Sequence, residues 1–381
     1  MPDVEYNRIG RHAALRDQDS KLIERIEAAR FESYRRMSDR KGLLMKAMVL
    51  KAPGELMLDE AARPSAGVSQ VLIRVSYSGI CGTDLKIYNG AIPVSYPRIM
   101  GHEMTGEVVD GGHDEFRSGE RIIIDPVLYC GACFHCRIGQ THLCPNGMLL
   151  GRDTNGGFAE YVAAPASHVF HLPDSIDSRT APLIQVLTTC LHAQRLTNIF
   201  PGESVVVLGL GVTGQLHVQL AKARGASLVI GITRNAAKGE LAQTLGADLT
   251  VVSGDDTIPT IVEATHGRGA DLVIDSTGVT ASLADAIAMA RYGGRLLLFG
   301  IFTATEATLP FYQLYLKELT VSTARAAKSE DYPICIDLVQ RGTVRLEPLI
   351  SHIMPFGELK TAIGIMGSDS GQHMKIILEH G

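Results

Sequence analysis

Two patterns of apolar residues follow one another along the chain and predict two kinds of domain. From residue 45 to about 171, short runs rich in Val and Ile are broken by Gly and Pro, a pattern typical of a small, irregular β-barrel-like domain. The strands predicted there are Met45–Leu50, Val71–Tyr77, Met104–Val109, Arg121–Asp125 and Phe158–Ala163. Farther along, apolar strands alternate with helix-like segments, which predicts an α/β domain with a parallel sheet.

A strand–helix–strand unit begins at Ser204. The apolar strand Ser204–Leu208 runs into a Gly-x-Gly-x-x-Gly sequence, and a helix-like segment to Arg224 and a second strand, Leu228–Ile232, follow. Glycines at this spacing permit a tight turn and the close approach of a pyrophosphate to the N-terminus of a helix. The unit therefore predicts a dinucleotide site. The expected cofactor contacts are Gly209, Gly211, Val212, Thr213 and Gly214, and later strands of the same sheet are predicted at Ala270–Gly278 and Arg295–Gly300.

The end of the second strand favours one nicotinamide cofactor over the other. An NAD site places Asp or Glu there, because a carboxylate accepts hydrogen bonds from the ribose hydroxyls. This chain has Thr233 and Arg234 instead, with Lys238 shortly after. A hydroxyl and a guanidinium can bind a 2′-phosphate, which a carboxylate would repel. We therefore expect NADP, with NAD as the alternative if Arg234 is only a solvated loop residue.

Four of the seven cysteines are clustered between residues 130 and 144. They are Cys130, Cys133, Cys136 and Cys144. Four thiolates complete the tetrahedral shell of a zinc ion and leave no open position, so the predicted site is structural. Cys190 and Cys335 have no metal partner at a suitable spacing and are interpreted as buried apolar residues.

A second group of potential metal ligands lies upstream, in the segments Cys81–Asp84 and Gly101–Glu103. A thiolate and an imidazole nitrogen are ligands that zinc prefers, so Cys81 and His102 are the candidate pair. The Asp84 carboxylate can hold the imidazole in one tautomer. The alternative interpretation is a buried cysteine beside an unrelated loop histidine, and the other motifs of the chain favour zinc.

Together these motifs resemble the zinc-containing medium-chain alcohol and polyol dehydrogenase family, which includes sorbitol, threonine and sugar dehydrogenases. The resemblance begins at about Met45 and continues to the C-terminus. It implies a GroES-like β-barrel catalytic domain over residues 45–185 and 325–381, with the zinc lobe at 130–144. It also implies a Rossmann domain over residues 186–324. Residues 1–44 are interpreted as an N-terminal extension without chemistry.

The resemblance implies roles for individual residues as well. Thr83 would take the hydroxyl proton of the substrate and pass it toward the cofactor ribose. The third ligand of a catalytic zinc is left open between Glu103 and Gln185, which stands where relatives usually carry Cys or Glu. Lys86 stands where many relatives end the proton relay with a histidine, so the relay beyond Thr83 is open. Lys375 is interpreted as structural.

Further residues follow from the same resemblance. The expected catalytic residues are Thr83, Asp84 and Glu103. The residues expected beside the nicotinamide are Gly300, Ile301 and Phe302, and those expected in the substrate cleft are Tyr88, Ile92, Leu187 and Phe302. The family also implies a homodimer or a homotetramer.

Composition narrows the class of protein further. The chain has 381 residues, of which 45% are hydrophobic and 20% charged, and its formal net charge is −5. The absence of a basic cluster argues against a nucleic-acid or anionic-membrane partner. The N-terminal sequence has no apolar core of a secretory signal, and no apolar run anywhere in the sequence is long enough to span a bilayer, so we expect a cytoplasmic location.

The predicted activity is a zinc-dependent hydride transfer between NAD(P), with NADP favoured, and a secondary alcohol, polyol or sugar. Two alternatives stay open. One is a reductase of an activated double bond or carbonyl that uses NADPH and lacks catalytic zinc, which Gln185 keeps open. The other is a protein that binds NADP without turnover.

Overall fold

The computed structural model describes residues 43–110, 115–368 and 373–381, and every structural statement below concerns these residues. The predicted N-terminal extension lies almost entirely outside them. The chain divides into a unit of Met1–Met45 with Ala61–Arg63 and a unit of Lys46–Glu60 with Pro64–Gly381. All the sites discussed below lie in the second unit.

Eighteen strands are found in the described residues. In chain order, β1 to β18 are Leu44–Ala52, Glu55–Ala62, Gln70–Gly79, Arg98–Ile99, Glu103–Asp110, Arg121–Ile124, Val127–Leu128, Met148–Leu149, Tyr161–Pro165, Val169–His171, Ser204–Leu208, Leu228–Thr233, Leu249–Val252, Ala270–Asp275, Ala290–Leu298, Thr320–Thr323, Ile350–Pro355 and Lys375–Glu379.

In the same described ranges, ten α-helices connect or flank these strands. In chain order, α1 to α10 are Gly82–Tyr88, Phe134–Arg137, Leu183–Thr197, Val212–Ala223, Ala236–Thr244, Thr257–Ala264, Ser282–Met289, Phe311–Leu316, Asp331–Gln340 and Leu359–Gly367. Short 3₁₀ helices lie at Thr141–Leu143, Ala166–His168, Glu347–Leu349 and Phe356–Glu358.

A seven-stranded sheet contains most strands of the first pattern. Its order is β10-β6-β5-β3-β18-β17, with β9 also paired to β3. The glycine-broken runs explain this arrangement, because their apolar side chains fill one core that includes Val71, Ile73, Met104 and Ile122. β18, near the C-terminus, pairs antiparallel with β3, so the end of the chain returns to this sheet.

A six-stranded parallel sheet contains the second pattern. Its order is β13-β12-β11-β14-β15-β16. Every residue of β11 is buried, as expected for a central parallel strand covered by helices on both faces. The strand order changes direction at β11, which lies between β12 and β14, and such a point is where α/β sheets form a ligand-binding crevice. The predicted α/β class with a doubly wound parallel sheet is confirmed.

Several strand bounds differ from the prediction. The strand predicted at Phe158–Ala163 begins only at Tyr161, because the Phe158 N–H donates to the Met100 carbonyl and its carbonyl accepts from Met48. The strand predicted to reach Gly278 ends at Asp275, whose carboxylate accepts from Thr277 and closes a turn.

Candidate active site and zinc lobe

The four lobe cysteines come together around one point. The shorter Sγ–Sγ distances are 3.4 Å for Cys133–Cys136, 3.5 Å for Cys130–Cys144 and 3.8 Å for Cys133–Cys144. Zn–S bonds of about 2.3 Å define a tetrahedron with edges of about 3.8 Å, so this donor set fits zinc. Backbone N–H groups of Ala132 and Cys133 lower the pKa of Cys130 to about 6, whereas burial and the hydrogen bond with Cys133 raise the pKa of Cys136 to about 12. Of these two thiols, Cys130 more readily gives the thiolate that a metal binds.

The second group of ligands is assembled from two separate elements. Cys81 is the N-cap of α1, whereas His102 and Glu103 lie where the chain enters β5. One ligand atom from each of the three residues lies within 4.8 Å of the other two. His102 and Glu103 are buried, so a thiolate, an imidazole and a carboxylate meet in a site largely shielded from water. This donor chemistry fits a zinc ion.

Asp84 connects two of these residues. Its Oδ2 accepts from the Cys81 backbone N–H at 2.9 Å, and its Oδ1 lies 3.5 Å from His102 Nδ1. Burial opposes the charged imidazole, but the neighbouring Asp84 carboxylate and Cys81 outweigh it and raise the pKa of His102 well above its ordinary value. The buried carboxylate therefore lies where it can orient the imidazole.

Lys375 provides a contact that the sequence did not reveal. Its Nζ lies 2.5 Å and 2.8 Å from the two carboxylate oxygens of Glu103 and donates to the Ile80 carbonyl at 3.0 Å. Both charged side chains are almost completely buried. Lys375 thus ties β18 to the residues that precede Cys81 and follow His102. A lysine at the head of the apolar run Ile376–Leu378 was the available signal, because such a lysine needs a buried partner.

Many of the predicted site residues line one cleft of about 730 Å³. The predicted metal and catalytic residues that line it are Cys81, Thr83, His102, Glu103, Cys144 and Gln185, and the predicted cofactor contacts that line it are Thr213, Gly300, Ile301 and Phe302. Ile92 lines it as expected. Tyr88 and Leu187 do not, and that expectation was wrong: the Tyr88 hydroxyl donates to the Gly54 carbonyl, and Leu187 is fully buried in the core.

The glycine turn has the geometry that the fingerprint requires. Gly209 has a φ of +90°, a conformation that favours glycine. A Cβ on Gly214 would lie only 1.9 Å from the Gly209 carbonyl oxygen, so that position needs glycine for close packing. A Cβ on Gly211, the N-cap of α4, would meet nothing within 4 Å, which leaves open space at the helix N-terminus. A pyrophosphate fits there.

The residues that follow β12 differ from one another in burial and in their contacts. Thr233 is buried, and its Oγ1 accepts from the Asn235 backbone N–H at 3.1 Å. Arg234 is exposed. The Lys238 ammonium donates to the His373 carbonyl at 3.1 Å, and burial together with the charge of Arg234 lowers the pKa of Lys238. The two cations are thus close enough to influence one another.

Two features of the cleft went unnoticed in the sequence. The Lys86 ammonium donates to the Ile301 carbonyl at 3.3 Å, which links α1 to residues 300–302, the predicted nicotinamide loop. Ser276 and Thr277, which follow β14, also line the cleft. The buried Asp275 carboxylate holds this turn through the backbone N–H and hydroxyl of Thr277. Small polar residues directly after a buried parallel strand were the signal for this turn.

Comparison with known proteins agrees with this geometry. Residues 67–174 match the Alcohol dehydrogenase GroES-like domain, and residues 212–341 match the Zinc-binding dehydrogenase family. The chain is 32% identical over 341 residues to a sorbitol dehydrogenase from Halalkalibacterium halodurans, covering 88% of this chain and 99% of the relative.

Two solved structures are also similar. A zinc-binding dehydrogenase from Sinorhizobium meliloti 1021, bound to NADP, is 31% identical with a TM-score of 0.82, covering 88% of this chain and 99% of that chain. An alcohol dehydrogenase from Escherichia coli CFT073, complexed with NADH, is 29% identical with a TM-score of 0.82, covering 89% of this chain and 100% of that chain.

These matches identify the chain as a member of the zinc-type alcohol dehydrogenase family. It is an oxidoreductase of the alcohol and polyol dehydrogenase type. The cofactors of this class of enzyme are zinc and a nicotinamide nucleotide. The predicted family and enzyme class are confirmed. In the three described ranges of the chain, no helix has the length and apolar character needed to cross a bilayer.

Proposed function

We propose that this chain transfers hydride between NADP and a secondary alcohol, polyol or sugar, with a catalytic zinc at Cys81 and His102 and a structural zinc in the four-cysteine lobe. The observation that carries the proposal is the shared cleft. The candidate zinc ligands, Thr83 and the nicotinamide loop all line it. A reacting carbon placed there would therefore lie between the two groups that hydride transfer requires.

The residues of the site would have different roles in this reaction. When bound, zinc would supply a Lewis acid that lowers the pKa of the substrate hydroxyl, and the nicotinamide would accept the hydride. Cys81 and His102 would hold the metal, and Asp84 would keep the His102 ring oriented. Thr83, on the cleft wall, would accept the hydroxyl proton and pass it onward.

For the third ligand we favour Gln185 over Glu103. Lys375 engages both carboxylate oxygens of Glu103, so using one of them on zinc would disturb a buried ion pair. Gln185 lines the same cleft and offers a neutral amide oxygen. In this arrangement Glu103 would stay paired with Lys375, while Gln185 would hold the metal together with Cys81 and His102.

NADP is favoured over NAD by the chemistry at the end of β12. There is no carboxylate between Gly231 and Asn235. Arg234 is exposed, and its charge is felt by Lys238. Two neighbouring cations suit a 2′-phosphate, whereas ribose hydroxyls alone would not balance their charge. Relatives bound to NADP and to NADH are both known, so the preference rests on these residues.

The quaternary structure proposed is a dimer, or a tetramer built from such dimers, joined at the free edge of the parallel sheet. β16 is the last strand at that edge. Nearby in sequence, α8 exposes Phe311, Tyr312 and Tyr315, whose exposed fractions are 68–80%. Clustered exposed aromatic residues are typical of interfaces. Light scattering on the parent and on Tyr315→Glu tests this, and a parent that is already monomeric would refute it.

The decisive experiment measures zinc per subunit and NADP-linked oxidation of a polyol panel for three proteins. They are the parent, the double variant Cys81→Ser/His102→Ala, and the control His266→Asn, which replaces an exposed histidine outside the cleft. We expect two zinc ions in the parent and in the control, and one in the double variant. Only the parent and the control should be active. One zinc in every protein, with reduction of activated double bonds, would replace this proposal with the zinc-independent reductase.

A further inference from the structure

The charges that line the cleft are unevenly distributed. Among the described residues, its lining contains three cations, Lys86, Arg152 and Arg325, and a single carboxylate, Glu103. The cleft therefore carries more positive than negative charge.

Local partners compensate two of these four charges. Glu103 is neutralised by the buried ammonium of Lys375. Arg152 is neutralised by its neighbour Asp153, whose carboxylate accepts from Arg152 Nε at 3.0 Å and from Nη2 at 2.7 Å. Both pairs are complete before any ligand enters. They leave Lys86 and Arg325 to determine the charge of the cleft.

Neither remaining cation has a carboxylate partner within salt-bridge distance in the part of the chain that the structure describes. Lys86 contacts only the neutral Ile301 carbonyl, at the long distance of 3.3 Å, and Arg325 is exposed at the cleft wall. Uncompensated cations in a concave site attract and concentrate small anions.

The phosphates of the cofactor have other partners. The open space at Gly211 and the N-terminus of α4 suits the pyrophosphate, and Arg234 with Lys238 suits a 2′-phosphate. Lys86, by contrast, lies on α1, the helix that begins at the candidate zinc ligand Cys81. Five helical residues correspond to roughly 7 Å along the axis, a separation that a small substrate can bridge.

From this distribution we infer that the physiological substrate is a polyhydroxy compound with an anionic group, carboxylate or phosphate, which Lys86 and Arg325 bind while a hydroxyl meets the zinc site. The inference rests on the proposed function and specifies its substrate class. A carboxylate or phosphate would complete the charge balance of the cleft through charge-assisted hydrogen bonds. A neutral polyol would leave both cations without a counter-ion.

The test compares three probes that share a six-carbon polyol chain: sorbitol, D-gluconate and sorbitol 6-phosphate. We expect kcat/KM for one of the anionic probes to exceed that for sorbitol by about tenfold or more, the effect of a charge-assisted contact. Gluconate and sorbitol 6-phosphate distinguish a carboxylate from a phosphate. Raising the salt concentration should reduce the anion preference, because exposed charges are screened.

The variants are Lys86→Met and Arg325→Met, with Lys360→Met as the control, since Lys360 is exposed and lies outside the cleft. The quantity to follow is the ratio of kcat/KM for the anionic probe to that for sorbitol. Each cleft variant should lower this ratio by about fivefold to tenfold, whereas the control should leave it unchanged. Direct titration with NADP measures whether cofactor binding has changed.

Two results would overturn the inference while leaving the proposed function intact. One is a sorbitol kcat/KM equal to or above that of both anions. The other is a cleft variant that weakens NADP binding and leaves the anion ratio unchanged, since the cations would then serve the cofactor. Failure of every probe and every neutral alcohol with the zinc-loaded enzyme would instead reject the proposed function itself.

Discussion

The two groups of candidate metal ligands are built in opposite ways. The lobe draws four identical donors from one segment, Cys130–Cys144, and three of these thiols are at least partly accessible to solvent. The other group draws different donors from α1 and β5, and its charges are held by Asp84 and by Lys375 from the far end of the chain. The first is a local site that closes on itself, whereas the second exists only when the whole domain is folded.

The difference corresponds to two kinds of zinc chemistry. A closed shell of four thiolates leaves no position for a substrate and can only hold the chain together. A buried group with fewer protein ligands, opening into a cleft, can leave a position for a substrate oxygen. The comparison therefore predicts that damage to the two groups has separable consequences.

The largest effect should come from Cys81→Ser, compared with Cys136→Ser in the lobe. Losing a Lewis acid worth several kcal/mol should lower kcat/KM by about 10³-fold or more in Cys81→Ser, with little change in the melting temperature. Cys136→Ser should lower the melting temperature markedly, while protein that remains folded keeps most of its activity. Zinc content, melting curves and kinetics measure the three quantities. Equal activity losses in the two variants would show that the groups are not separable.

The second largest effect concerns the Glu103–Lys375 ion pair, which has no counterpart in the four-cysteine lobe. Lys375→Met leaves the fully buried Glu103 carboxylate without its cation, and we expect a loss of about 3 kcal/mol in the free energy of unfolding. Urea denaturation measures it. The double variant Glu103→Gln/Lys375→Met should recover part of that stability, because the uncompensated charge is gone. A single-variant loss below about 1 kcal/mol, typical of surface pairs, would contradict a buried structural role.

The same difference explains how well each site could be predicted from the sequence. The lobe and the glycine turn depend on residues close together in the chain, so their spacing alone was enough to predict them. The Glu103–Lys375 pair joins residues more than 270 positions apart, and the Lys86–Ile301 contact joins two separate elements. No local pattern encodes such pairings. Tyr88 was misplaced for a related reason, since its distance from Cys81 along the chain does not reveal which way its ring points.

A third prediction concerns the pH dependence of the free energy of unfolding. It tests whether acid destabilises the fold through a buried histidine that lies apart from the metal groups. His217 is fully buried, and burial lowers its pKa to about 3. Below pH 6.5 the unfolded chain takes up a proton there while the folded chain does not, so stability is present above that pH and falls as the pH drops toward 3. The loss at pH 5 is about 2 kcal/mol. Parent and His217→Gln should converge in unfolding free energy between pH 7 and 5; parallel curves would exclude this histidine as a cause.

The smallest predicted effect lies at the ribose end of the cofactor site, which resembles the lobe because its candidate residues, Thr233–Lys238, belong to one short segment. A local site should tolerate substitution without affecting the metal groups. Arg234→Gln removes one exposed cation, and we expect the ratio of kcat/KM for NADP to that for NAD to fall about tenfold, the effect of one charge-assisted contact. Zinc content and melting temperature should not change, and Arg341→Gln, at the exposed C-cap of α9, is the matched control. An unchanged ratio would mean that the guanidinium remains in solvent when the cofactor binds, and NAD would then become the favoured cofactor.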